Sequence, residues 1–237
     1  MPKRRERVPN GSQAEKGTGD HMKDLRGASS DLDGTLLDSM KIWEQIDIDF
    51  LRRRGVPPTP DYTAAVTSMD PRPAAEYTIR RYGFRDTPEM LMAEWTQMCR
   101  EAYRSTVPLK PGAEELLKKL RARGVRIILA TSSVRDRAVG VLRANGVDGY
   151  FDDMVFGPEV EHGKPAPDVF LKAHEKAGER AEDCLVLEDS EAGVQAAYAA
   201  GIDVICVPDI KALSEAVRRM AWAVLPSLYE VSGILQL

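Results

Sequence analysis

Cysteine and histidine are both scarce, with three of each in 237 residues. Cys99, Cys184 and Cys206 are odd in number, none belongs to a C-x-x-C pair, and two lie in apolar runs. That argues against a disulfide framework or a cysteine zinc site and for small buried hydrophobes in a reduced cytosol. His21, His162 and His174 are scattered without an H-x-x-x-H spacing, which argues against a histidine zinc centre. No run approaches the ~18 apolar residues of a membrane span. An excess of positive charge is also missing. Lys and Arg total 33 against 37 Asp and Glu, a net charge of -4, which gives no general electrostatic reason to bind nucleic acid. Internal repeats are absent, and no apolar h-region of a secretory signal opens the chain.

What is present is enough apolar side chain, 43%, for a real core, in a length that accommodates one large domain or two smaller ones. Residues 1–24 are polar and without periodicity, and are expected to be disordered. Their one basic run, "KRRER", reads as solvated tail, and Met22 is an alternative start. From residue 110 onward, short apolar strands alternate with helical patterns. "GVRIILAT" follows a helix over "PGAEELLKKLRARG", whose Leu116, Leu117 and Leu120 form the buried stripe. Helices near 135–145, 167–177 and 211–220, the helix "SEAGVQAAYAAG", and the strands "DMVF", "CLVLED", "DVICV" and "WAVL" complete the alternation. Strand–helix alternation with near-continuous apolar strands predicts an α/β fold: a doubly wound parallel sheet with helices on both faces. Residues 39–108 differ. They hold no convincing strand, and Ile42, Ile46 and Phe50 recur at helical spacing, as do Leu91, Trp95 and Met98. Thr87 and Pro88 make a plausible N-cap and N1 pair. An all-helical insertion is therefore expected at 39–108, between the two parts of a sheet domain at 25–38 and 109–237.

Polar groups sit where the strands end. Asp31 and Asp33 follow residue 30, Thr131, Ser132 and Ser133 follow "RIILA", Glu188 and Asp189 follow "CLVL", and Lys164 lies in the loop after "DMVF". Ligands of doubly wound sheets bind outside the carboxyl ends of the strands, so neighbouring strands would bring these groups into one crevice. The acids suit Mg²⁺, and the amine and hydroxyls suit phosphate oxygens. Each element alone has a plainer explanation: a "DxDG" turn, an "ED" that caps the next helix, a surface lysine. Their joint appearance favours chemistry.

The four segments "DLDGT", "LATSS", "GKPAPD" and "LEDSEAG", in that order, resemble the motifs of the haloacid dehalogenase-like superfamily. The subgroup is the one with a helical cap inserted after the first strand, which includes β-phosphoglucomutase-like sugar phosphatases. The resemblance covers residues 31 to about 225 and implies a Rossmann-like core, an inserted helical cap, and a cytoplasmic phosphoric monoester hydrolase. It also implies roles. Asp31 is the nucleophile that becomes an aspartyl-phosphate, and Asp33 is the acid/base. Thr131 holds a phosphoryl oxygen, and Lys164 offsets negative charge. Mg²⁺ is bound by Asp31, the backbone carbonyl of Asp33, Asp189, and Glu188 directly or through water. The implied partner is a small phosphorylated metabolite, with no nucleic acid and no membrane, acted on by a monomer or weak homodimer.

The insertion says less about substrate. Mutases of the subgroup keep a His where Trp43 stands here, which favours hydrolysis over isomerisation. Arg72 lies near the position of a mutase cap arginine, without the expected neighbours. Lys41 is the only lysine between 39 and 109 that a phosphonate hydrolase could use. One feature fits poorly. The residues before Asp31, "RGASS", replace the apolar strand that relatives place at the sheet centre. Buried serine hydroxyls cost roughly 1–3 kcal/mol each when unpaired, and Gly and Arg weaken a central strand. The expectation is a short or irregular strand near 26–31, and a catalytically impaired relative is a reading that it motivates.

Overall fold

A computed structural model describes residues 25–237 except 67, 68, 70, 106, 210 and 211, and leaves the side chains of Met40, Lys41, Trp43, Glu44, Ala64, Pro71, Arg104 and Ser105 undescribed. The expectations for residues 1–24 and for the Lys41 and Trp43 side chains lie outside the described part. Two compact units are formed. One runs to Asp38 and resumes over Pro108–Leu237; the other is Ser39–Val107.

The first unit is built on six parallel strands: β1 (Gly27–Ser30), β2 (Arg126–Thr131), β3 (Asp153–Phe156), β4 (Cys184–Glu188), β5 (Asp203–Cys206) and β6 (Ala223–Val224). Their order across the sheet is β3-β2-β1-β4-β5-β6. The chain winds outward from β1 to one edge, then returns to start β4 on its other side, so the reversal of strand order falls at β1. Side chains alternate between the faces. Ile128, Ala130, Val155, Cys184, Val186 and Val204 share one buried cluster with Phe170 and Ala173 of α7 (Asp168–Ala177) and Val194 and Ala197 of α8 (Glu191–Ala199). The intervening Ile127, Leu129, Leu185, Leu187 and Ile205 are buried as well, as a sheet covered on both sides requires. Helix α5 (Ala113–Ala122) packs on β2 through the predicted Leu116, Leu117 and Leu120, and α10 (Leu228–Ile234) packs on α5.

β1 corrects part of the expectation. It is short, at four residues, but it is regular. Gly27–Ser30 pair in register with Arg126–Leu129 on one side and with Cys184–Leu187 on the other. Small residues fit because the space is small. A Cβ on Gly27 would lie 2.7 Å from Cys184 Sγ, and the Ser30 hydroxyl donates to the Asp31 carbonyl at 2.7 Å instead of being left unpaired. Pairing on both sides supplies the ordering that strand propensity lacks.

The second unit is all helical: α1 (Met40–Arg53), α2 (Pro60–Val66), α3 (Pro71–Tyr82) and α4 (Pro88–Ser105). Ile46, Phe50, Leu91 and Met98 form its core, with Ile42 and Trp95 partly buried against it, and the Thr87 hydroxyl accepts from Met90 N at the start of α4. Sequence periodicity missed α2 and α10, each of seven residues and too short to display a stripe. The helix expected near 211–220 contracts to α9 (Glu215–Arg218). A helix over Arg135–Ala144 (α6) lies as expected.

Candidate active site

Three strand ends and one loop deliver the polar residues to the carboxyl edge of the sheet. Asp31 directly follows β1, and its N–H donates to Leu187 O of β4 at 3.0 Å, which fixes it beside Glu188. Lys164 comes from the segment between β3 and α7 and reaches both acids. Its Nζ is 2.6 Å from Asp31 Oδ1 and 2.7 Å from Glu188 Oε1, and it donates to Ala130 O at 3.1 Å. All three side chains are nearly inaccessible, at 7% exposure for Lys164, 9% for Asp31 and 1% for Glu188. The Phe170 ring lies 4.8 Å from the ammonium.

Glu188 is saturated by protein donors. Its second oxygen, Oε2, accepts from Asp189 N at 3.0 Å, Ser190 N at 3.1 Å and Ser190 Oγ at 3.0 Å. Ser190 in turn caps α8 by accepting from Gly193 N at 3.1 Å. Gly193 must be glycine, since a Cβ there would overlap the Glu188 carboxylate. Asp189 is held from the other side by Thr35 Oγ1, which donates to its Oδ1 at 3.0 Å. Gly34, at φ 81°, turns the chain under the Asp189 carboxylate where a side chain would collide. Lys110 pairs with Asp209 at 3.1 Å nearby, and Lys110 N donates to Leu36 O at 2.8 Å.

On the β2 side, Ser133 Oγ donates to Asp33 Oδ2 at 2.7 Å, and Ser133 N donates to Thr131 Oγ1 at 3.1 Å. The loop is closed down by Gly157, whose N–H donates to Ser133 O at 3.3 Å and which has no room for a Cβ against Ser132 O. All six residues singled out from the sequence thus lie around one set of strand ends. Asp31, Lys164 and Glu188 are directly bonded. Asp189 joins through the backbone N–H that Glu188 accepts, and Asp33 and Thr131 through Ser133. Sequence reading passed over the roles of Thr35, Gly193 and the Ala130 carbonyl. The first two stand inside quoted motifs, so the signal was there; the carbonyl carries no sequence signal. Arg72 is exposed and engaged elsewhere, with Nη2 2.5 Å from Glu89 Oε1.

The electrostatics are those of a site short of positive charge. Burial, and after it the charges of Glu188 and Asp189, push the Asp31 carboxyl well above its usual range, against the pull of Lys164. Burial and then Glu188 push Asp189 up to about 7. Burial pulls the Lys164 ammonium down, but Asp31 and Glu188 outweigh it and the net direction is up. Three carboxylates around one lysine leave an uncompensated negative charge at a buried edge. Among the described residues no three acidic, His or Cys side chains form a ready-made metal cage. The donors that fit a hard cation are two carboxylates, Asp31 and Asp189, with the Asp33 carbonyl, a partial oxygen set of the kind Mg²⁺ completes with water and phosphate.

Comparison with known proteins agrees with this chemistry. The family model of the haloacid dehalogenase-like hydrolases matches residues 30–207. A phosphorylated carbohydrates phosphatase of Thermotoga maritima is 29% identical over 191 residues, 78% of this chain and 88% of that protein. A Drosophila melanogaster protein named a probable pseudouridine-5'-phosphatase is 34% identical over 210 residues, 84% of this chain and 87% of its own. Among solved structures, a Thermotoga maritima protein whose name, beta-phosphoglucomutase, is itself provisional superposes with a TM-score of 0.82 at 26% identity. That match covers 90% of this chain and 99% of the other.

Proposed function

The chain belongs to the haloacid dehalogenase-like hydrolases and is a phosphoric monoester hydrolase acting on phosphorylated metabolites; on that premise we propose a Mg²⁺-dependent phosphatase of small sugar-phosphate-like substrates that works through an aspartyl-phosphate on Asp31. The observation that carries the reading is the Asp31–Lys164–Glu188 triad, with Nζ 2.6 and 2.7 Å from the two carboxylates. A buried nucleophilic carboxylate is thereby aimed and partly neutralised by a cation whose three N–H groups are all used inside the site and whose charge favours an anionic phosphoryl group beside it.

Asp31 attacks phosphorus and the bond to the ester oxygen breaks. Asp33 protonates that departing oxygen, so the alcohol leaves neutral. Asp33, now a carboxylate, takes a proton from water as the water attacks the phosphorus held on Asp31. Inorganic phosphate departs and both carboxyl groups return to their starting states. Splitting the displacement in two is the gain of covalent catalysis, and a positioned acid/base typically contributes ~10²–10⁴-fold. Thr131, whose oxygen accepts from Ser133 N, keeps its own O–H free to donate to a phosphoryl oxygen. Asp31, Asp189 and the Asp33 carbonyl would hold Mg²⁺, whose charge would offset repulsion between the acids and the anionic substrate. Glu188, with both oxygens bonded to protein donors, acts by holding Lys164 and the Asp189 backbone, and reaches a cation only through water.

The test is phosphate release from sugar phosphates, glycerol phosphate and nucleoside monophosphates, with Mg²⁺ and with chelator. Release that requires Mg²⁺ supports the reading. No release from any substrate by a folded protein overturns it, and isomerised product that needs a bisphosphate primer assigns a phosphomutase instead.

A further inference from the structure

Three hydroxyls stand at the end of β2, on Thr131, Ser132 and Ser133, and the requirement for phosphate binding does not distinguish among them. The geometry does. Ser132 is exposed, whereas Thr131 and Ser133 are buried, at 1% and 3% exposure. Thr131 and Ser133 are turned to different tasks. The Ser133 hydroxyl is spent on Asp33, donating to Oδ2 at 2.7 Å across a sequence separation of 100 residues. Its backbone is fixed at both ends, by Thr131 Oγ1 at 3.1 Å and by Gly157 N at 3.3 Å. A hydroxyl held this firmly is a fixed reference point for the carboxyl group it touches.

We propose that Ser133 is the positioning residue of the acid/base. It donates to Asp33 Oδ2 and holds one rotamer of the carboxyl group that carries the proton to and from the reacting oxygens. The inference rests on the assignment of Asp33 as acid/base. It adds that the acid step depends on a side chain from a different strand end, and that Ser133 is not a phosphate ligand. Oxygens transferring a proton must be placed within hydrogen-bond reach in the transition state, so losing the hold reduces the acid's contribution without removing the acid.

The experiment compares leaving groups. An alkoxide needs the proton as it departs, and p-nitrophenolate does not, so kcat/KM, which reports the first phosphoryl transfer, separates acid assistance from everything else. For Ser133→Ala, kcat/KM on glycerol phosphate should fall about tenfold more than on p-nitrophenyl phosphate, with the Ki of inorganic phosphate unmoved. Ser133→Thr, which restores a hydroxyl, should recover most of the difference. Equal losses on the two substrates, or a weakened Ki for phosphate, overturn the proposal in favour of a structural or phosphate-binding serine. Ser133→Cys keeps the volume and lacks a strong donor, so it replaces the alanine variant in the same comparison if that variant does not fold. Asp33→Asn is the control for the premise. If it shows no leaving-group discrimination, Asp33 is not the acid and the inference falls with that assignment; if it discriminates while Ser133→Ala and Ser133→Cys do not, only the role of Ser133 is wrong.

Discussion

Lys164 joins two buried carboxylates and a main-chain carbonyl, and is the cation at the centre of the site. Removing one partner of a buried ion pair leaves an uncompensated charge, at a cost of about 3–5 kcal/mol. Lys164→Met should therefore lower the urea-unfolding free energy by an amount of that order as well as stop phosphate release; unchanged stability would show that the triad is not a buried pair in solution. Asp189 gives a pH signature. Burial and Glu188 raise it to about 7 in the folded chain, against ~3.9 for an unfolded aspartate. Between those values the folded state binds more protons than the unfolded state, so this group's contribution to stability is fully present at low pH and is lost as pH rises from about 4 to 7. In chelator, Asp189→Asn should flatten that part of the Tm-against-pH curve and melt higher than the parent at pH 8. A parallel curve would contradict the assigned environment.

At the scale of elements, the helix after β4 is tuned to the acid in front of it. Gly193 stands in the first turn of α8 because the Glu188 carboxylate occupies the space of its side chain. Gly193→Ala, harmless or favourable in an ordinary helix, should here cost about 1–3 kcal/mol through overpacking and disturb the hold on Lys164, read as a fall in both Tm and kcat. An alanine variant with parental Tm and kcat would mean that Glu188 lies elsewhere. The same scale shows what the sequence could express. "RIILAT", "CLVLE" and "DVIC" are legible as strands because burial on both faces selects β-branched and aliphatic residues. β1 is illegible because its position is specified from outside. Two neighbours supply the ladder, and Cys184 restricts Gly27 to the smallest side chain. α2 and α10 are hidden for another reason: seven residues hold fewer than two full turns, and their boundaries are set by packing. In the candidate site, the acids, the lysine and Thr131 were visible through motif order. The partition of hydroxyls between Asp33 and Asp189 was not, because it depends on contacts between residues 100 and 154 positions apart.

At the scale of the whole molecule, the strand order β3-β2-β1-β4-β5-β6 places the ends of β1, β2 and β4 side by side, and that adjacency gathers separate motifs into one candidate site. The regular central strand removes the structural motive for reading the chain as an impaired relative, since Asp31 is held by β4 in register whatever the composition of β1. The helical unit, Ser39–Val107, carries a separate aromatic core around Phe50, Tyr62 and Trp95, and no helix among the described residues is long and apolar enough to cross a membrane. Everything proposed about the reaction depends on Asp31 forming a bond to phosphorus. The most direct test is a rapid acid quench of the protein turning over a sugar phosphate with Mg²⁺, followed by mass mapping of the peptides. The account predicts a hydroxylamine-labile phosphate on the peptide containing Asp31, absent from Asp31→Asn. Turnover with no phosphorylated peptide at any quench time, or with phosphate on another residue, would contradict it.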